Sequence, residues 1–268
     1  YEVYFRQGRG SRVQQAGMWM FRRRLQQWDV QSNVHVNRFI ANSNNVAERI
    51  KRQYGRSACV VYPPVDWQAF QVSYKNEGFY LMVTAFVPYK KVDLAIEAAN
   101  KLGFPLKIIG HGQEEKRLQR MAGPSVEFLG WQPDHLVREW YGRCLAVLFP
   151  GEEDFGIVPL EAMATGKPVI AYGRGGALET VIPLNPLPGM MRDRVSDKES
   201  HTGNCLNTKE GNASAMVAHT DVPPPGPTGV FFYEQTVDAL IDAIQLLNQH
   251  LPDFDPDTIR AHVKPFDC

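Results

Sequence analysis

Two glutamates eight positions apart, Glu153 and Glu161, sit within the stretch Phe149-Pro150-Gly151-Glu152-Glu153-Asp154-Phe155-Gly156-Ile157-Val158-Pro159-Leu160-Glu161-Ala162-Met163. The apolar run before Pro150 predicts a strand, and the apolar spacing after Pro159 predicts a helix. Glu153 then falls in the connecting loop and Glu161 about one turn into the helix. Two carboxylates so placed can each accept hydrogen bonds from a pair of hydroxyls, the chemistry of sugar recognition. Gly156 permits a ligand to come close to the backbone. Pro159 suits the first helical turn, where a missing N–H is no loss. The N–H groups of Phe155, Gly156 and Ile157 would face outward, an arrangement that suits phosphate or sugar oxygens. Acidic residues also gather at helix starts for the dipole alone, so the spacing taken by itself is a weak signal. Gly110-His111-Gly112 closes another predicted strand, as a ligand loop or an ordinary tight turn. Lys90 is either a cation aimed at an anion or a solvated lysine at a helix start.

The elements that must position these residues alternate regularly. Strands are expected at 39–41, 59–62, 80–83, 106–109, 126–129, 145–149, 168–172 and 228–232. Helices are expected at 11–28, 46–54, 92–102, 114–121, 133–143, 159–165 and 236–249, with a short one around Glu179. Tyr80-Leu81-Met82-Val83 is apolar without alternation, as a parallel strand covered on both faces should be. Strand–helix alternation of this kind implies an α/β fold, a Rossmann-like doubly wound parallel sheet. Asn42-Ser43-Asn44 supplies capping chemistry for the helix that follows. Residues 183–227 break the pattern with clustered prolines and polar residues, which reads as a Pro-rich surface insertion. The helix over 11–28 carries Met18, Trp19, Met20 and Phe21 beside Arg22, Arg23 and Arg24. It would lie on an anionic membrane surface or pack on a further domain.

Composition excludes several functions. Of 268 residues, 29 are Lys or Arg and 29 are Asp or Glu, so the formal net charge is zero and a nucleic-acid partner is not expected. Cys59, Cys144, Cys205 and Cys268 form no CxxC pair, which speaks against a zinc or redox site and fits a reducing compartment. No apolar run approaches the roughly 20 residues of a membrane span, and the N-terminus lacks a signal-peptide core. The expectation is a cytoplasmic protein, with peripheral contact at the inner face of the membrane under the first of those two readings of the helix.

With its context, the glutamate pair resembles the E-x7-E motif of glycosyltransferase family 4, retaining enzymes of the GT-B fold. The likeness continues through Ala162-Met163-Ala164-Thr165-Gly166-Lys167-Pro168-Val169-Ile170-Ala171 and Gly173-Arg174-Gly175-Gly176-Ala177-Leu178-Glu179-Thr180. Upstream it includes Val87-Pro88-Tyr89-Lys90-Lys91-Val92-Asp93 and Gly110-His111-Gly112. It covers about residues 28–182 and 228–266, and is nearest to bacterial mannosyltransferases of surface-polysaccharide assembly. The resemblance implies a catalytic pair, Glu153 at the donor sugar and Lys90 at the diphosphate leaving group. Asp154, Phe155, Gly156 and Ile157 would surround the sugar, and Glu161 would hold the ribose. Trp131 and Gln132 would lie at the base, Gly110 and Gly112 beside the donor, and Lys91 would assist Lys90. No metal and no cofactor are implied. Ala85 stands where many members place a second phosphate-binding Arg.

By the same resemblance, residues 1–66 are a remnant of the N-terminal, acceptor-side domain, and 67–252 form the nucleotide-sugar-binding domain, the C-terminal half of a GT-B fold. Residues 253–268 would be a C-terminal helix. The implied reaction moves a sugar, mannose favoured, from a nucleotide donor (GDP-mannose favoured) to a glycan or lipid-linked acceptor, with retention by front-face attack. The alternative is a fragment that binds a nucleotide sugar without transferring it. A GT-B epimerase or phosphorylase is a remoter reading, and the phosphorylase would need a pyridoxal-phosphate lysine context that is not found.

Overall fold

A computed structural model of the chain describes residues 12–186 and 226–267. Its strands and helices alternate as the apolar pattern dictates: α1 Arg12–Ser32, β1 Phe39–Ala41, α2 Asn44–Tyr54, β2 Ala58–Val60, β3 Tyr80–Val83, α3 Val92–Leu102, β4 Leu106–Ile109, α4 Glu115–Met121 and β5 Val126–Gly130. Then follow α5 Asp134–Arg143, β6 Ala146–Phe149, α6 Ile157–Ala164, β7 Val169–Tyr172, α7 Ala177–Thr180, β8 Gly229–Phe232, α8 Val237–Gln249 and α9 Pro256–Ala261. β1 and β2 form a separate two-stranded parallel sheet, with Phe39 opposite Ala58.

The main sheet has six parallel strands in the order β5-β4-β3-β6-β7-β8. Counted from β3, this is the doubly wound order 3-2-1-4-5-6, and the fold is α/β, Rossmann-like. β6, β7 and β8 are buried along their whole length, so their side chains need helices on both faces. α3 supplies Leu94, Ala95, Ala98 and Ala99, and packs beside α8, whose Leu240, Ile244 and Leu247 are buried with them. Capping matches local chemistry. The Ser43 hydroxyl accepts the Val46 N–H at 3.1 Å, and Gly55 ends α2 in the left-handed region.

Three expectations change. α6 begins at Ile157, two residues before Pro159, so the proline occupies the third helical position, whose N–H has no intrahelical partner in any helix. The expected helix over 253–268 is instead a 3-10 turn (Leu251–Asp253), the short α9 and a second turn (Lys264–Phe266). Pro256 begins α9, Pro252 and Pro265 are the second residues of the two turns, and together they interrupt a continuous helix. Past Pro183 no regular element precedes β8 among the described residues, but the start of the expected insertion is tied to β8. Leu184 N–H donates to Gly229 O at 2.8 Å, Asn185 Nδ2 donates to Phe231 O at 2.9 Å, and Phe231 N–H donates to Asn185 Oδ1 at 3.0 Å. Most of the expected insertion, 187–225, lies outside the described residues.

α1 runs four residues beyond the expected end and exposes Met20, Phe21, Leu25 and Trp28. No helix among the described residues is long and apolar enough to cross a membrane. Among the described residues Cys144 is buried and free.

Candidate active site

Because all six strands run one way, every strand-to-helix loop of the sheet opens on one edge. β3 and β6 are neighbours whose chains continue to opposite sides, which leaves a crevice between the loops after them. Residues 84–91 form one lip and 150–156 the other. The lips touch at Gly151, where a Cβ would stand 2.8 Å from Tyr89 O and 3.0 Å from Lys90 Cα. Only glycine allows that approach.

Across this crevice Lys90 Nζ lies 2.5 Å from Glu153 Oε1, both side chains about four-fifths buried. Lys90 ends a 3-10 turn that begins at Pro88, and its Nζ also lies 5.4 Å from the centroid of the Tyr89 ring. The next residue, Lys91, has φ +55°, the one non-glycine residue with positive φ among the described residues. A left-handed lysine costs about 1–2 kcal/mol, and a backbone outlier beside a ligand crevice is the usual place for such strain. Lys91 caps α3 there, turning the chain sharply after Lys90.

The loop 150–156 is held from below and from the side. Gly176 N–H donates to Glu153 O at 2.8 Å. A Cβ on Gly175 would come within 2.4 Å of Glu153 O, and one on Gly176 within 2.2 Å of Phe155 Cα. Asp154 points to the other side, where the Arg49 guanidinium meets both its oxygens at 2.8 Å. Phe155 is buried and stacks on Tyr62 at 5.4 Å. Gly156, at φ +94°, is the N-cap of α6 and offers no side-chain cap to the first N–H groups of the helix, and Ile157 is exposed.

Glu161 is one turn into α6. Its Oε2 accepts the Tyr141 hydroxyl at 2.9 Å. Burial pushes its carboxyl above the usual range, the Tyr141 bond and Arg138 pull it back, and Asp134 adds to the rise. The remaining expected positions are spread along the same edge. Trp131 follows β5 and is 68% exposed, a free aromatic face at the rim, and Gln132 Nε2 donates to Leu129 O at 2.6 Å. Gly110 (φ +141°) and Gly112 have a packing reason of their own. A Cβ on the first would meet Thr84 O at 1.8 Å and one on the second Phe86 O at 2.7 Å, so both let the loop after β4 press on the loop after β3. Among the described residues no cluster of three or more His, Cys, Asp or Glu could hold a metal ion.

The structure thus brings Lys90 to Glu153 and sets Glu161 on the helix behind them. Sequence reasoning gave no role to Gly151, Gly175, Gly176, Arg49 or Tyr141. The two adjacent glycines were visible as a motif, but what they press against was not.

The family description Glycosyl transferases group 1 matches residues 66–199. A relative in Methanocaldococcus jannaschii, an uncharacterized glycosyltransferase, is 32% identical over 159 residues, which are 56% of this chain and 44% of the relative. The alpha-1,3/1,6-mannosyltransferase ALG2 of Candida glabrata is 36% identical over 113 residues, 41% of this chain and 23% of that protein. The chain spans less than half the length of these curated relatives. Among solved structures, the Anabaena protein HepE in complex with UDP and glucose superimposes with a TM-score of 0.62 at 19% identity, covering 87% of this chain and 59% of that one. At that identity the likeness is one of fold, the GT-B fold. With half its residues matched and the sheet order of that fold, this chain belongs to the glycosyl transferases group 1 family.

Proposed function

We propose that the chain carries the donor half of a retaining glycosyltransferase, moving a hexosyl unit, mannosyl in the favoured case, from a nucleoside diphosphate to a glycan or lipid-linked hydroxyl. The observation that carries this reading is the Lys90–Glu153 pair at the topological switch of the sheet, beside the uncapped start of α6. The nucleotide would lie along the loop edge, its base near Trp131 and Gln132 and its ribose on Glu161. Its diphosphate would meet Lys90 and the loop of Gly110 and Gly112, with Lys91 adding positive charge. The sugar would meet Glu153 and the backbone of Asp154 to Ile157. In the transfer, the bond from the anomeric carbon to the diphosphate oxygen breaks, the acceptor oxygen bonds to that carbon, and the acceptor proton passes to the leaving phosphate. Charge grows on the diphosphate as the bond breaks, so Lys90 binds the transition state more strongly than the ground state. Residues 1–66 would belong to the acceptor-side half, an assignment supported by the separate β1–β2 sheet.

A second reading is a unit that binds the donor but transfers nothing alone. It is favoured by the chain's covering 44% and 23% of its curated relatives. Calorimetric titration with GDP, GDP-mannose, UDP and UDP-glucose tests the donor site, and turnover with a candidate acceptor separates the two readings. Failure of all four ligands to bind a well-folded chain would overturn both.

A further inference from the structure

We infer that Tyr141 is a positioning residue for Glu161, fixing its carboxylate so that one oxygen stays turned toward the ribose of the bound nucleotide. The inference rests on the reading of Glu161 as the ribose carboxylate and extends it to a residue on another helix. Tyr141 is fully buried on α5, where its hydroxyl cannot reach water, and it gives its proton to Glu161 Oε2 at 2.9 Å. The end torsion of a glutamate is broad and nearly two-fold. A single donor on Oε2 selects one orientation and leaves Oε1 free to accept from hydroxyls. That orientation is set before a ligand arrives, so the cost of ordering the side chain is not charged against binding.

The surroundings support a tuned carboxylate rather than simple core filling. Asp134, Arg138 and Tyr141 are spaced i, i+4, i+7 and so share one face of α5. All three act on Glu161: the tyrosine by its hydrogen bond, Arg138 and Asp134 through opposite charges. Burial disfavours the ionised glutamate, and the phenol counters it by donating to the charged form. The phenol itself is held protonated, pushed well above the usual tyrosine range by burial and by Glu161, so it stays a donor. Its ring packs against Phe70 at 6.3 Å between centroids.

Tyr141→Phe keeps the ring and removes only the donor. The test measures GDP and UDP against their 2′,3′-dideoxy forms by calorimetry, in wild type, Tyr141→Phe and Glu161→Ala. Melting temperatures are recorded alongside. In wild type the ribonucleotide is expected to bind more tightly than its dideoxy form, and Glu161→Ala should erase that ratio. Tyr141→Phe should cut the ratio about five- to ten-fold while leaving affinity for the dideoxy form within about two-fold. If wild type makes no distinction between the two forms, the ribose reading of Glu161 falls and this inference with it. If Glu161→Ala erases the ratio but Tyr141→Phe leaves it intact, the ribose reading stands and the positioning role alone is overturned. Equal weakening of both ligands by Tyr141→Phe would assign the tyrosine to packing and also overturn the inference.

Discussion

The carboxylate of Glu179 accepts the backbone N–H of Asn44 at 2.8 Å, a contact between residues 135 positions apart in sequence. Its other oxygen takes the N–H of Asn45 at 2.9 Å, and the Tyr62 hydroxyl donates to the first oxygen at 3.0 Å. An acidic side chain from α7 thus meets the first two N–H groups of α2, where the helix dipole favours negative charge. Together with Arg49 on Asp154, it fastens α2 to the loops that carry Glu153 and Phe155.

Glu179→Ala removes that fastening. Each lost hydrogen bond to a charged acceptor is worth about 1.5–3 kcal/mol. Hydrogen exchange should accelerate in 44–54 while β3, β6 and β7 keep their protection. Unchanged exchange across α2 would mean that the contact contributes nothing to holding the helix.

Lys90 and Glu153 neutralise each other in the absence of a ligand, so they should respond oppositely to substitution. Lys90→Ala should weaken GDP or UDP roughly 10- to 100-fold and the bare nucleoside little, as expected for a lost charge-assisted contact. Glu153→Gln should tighten the free diphosphate about three- to ten-fold, since Lys90 is no longer shared, and weaken the sugar nucleotide relative to it. Parallel losses for all ligands would show that the pair braces the loop instead of binding the donor.

Glu161 carries a stability cost with a definite pH dependence. Its folded carboxyl is raised above the ordinary value, so between those two values the folded state holds more protons than the unfolded one. Stability therefore falls as pH rises through that window and is regained below it. Glu161→Gln cannot ionise and should melt higher than wild type at pH 7. The gain is about 2–4 °C for each kcal/mol relieved. The difference should close at pH 4, and ribose-dependent affinity should fall. A difference independent of pH would contradict this linkage.

Gly175 and Gly55 offer a matched pair, both left-handed at φ +65° and +66°. Alanine at Gly55 meets open space and should cost only the backbone preference, about 1–2 kcal/mol, with ligand affinity intact. Alanine at Gly175 runs into Glu153 O and must move the loop, so donor affinity should drop as well as stability. Equal effects of the two changes on ligand binding would remove Gly175 from the site.

Much of the fold could be read in the sequence because β3, β6 and β7 are buried on both faces and so write unbroken apolar runs, separated by helices with clear stripes. The candidate residues could be picked out too, since Lys90, Glu153 and Glu161 sit in motifs of fixed local spacing. Their meeting was not. Lys90 and Glu153 approach only because β3 and β6 are neighbours, and strand order is a property of distant pairings. Tyr141 hid for the same reason: its partner is on another helix, and a buried tyrosine looks like core. Local errors had local causes. Pro159 reads as a helix start but is the third residue of α6, and Pro256 and Pro265 interrupt the helix expected over 253–268.

Asn185 gives the sheet a chemical end. Its side-chain amide gives one N–H to Phe231 O and takes one N–H from Phe231, the same donor–acceptor pair that a neighbouring backbone would present. An open outer strand invites another chain to add itself there, and natural proteins block such edges with charges, bulges or covering segments. Here the backbone of 182–184 pairs with the start of β8, and the Asn185 amide, standing in for a peptide group, occupies the next docking position at Phe231. Leucine at 185 would remove both of those hydrogen bonds, and aspartate would remove the donor, from the backbone of an outer strand.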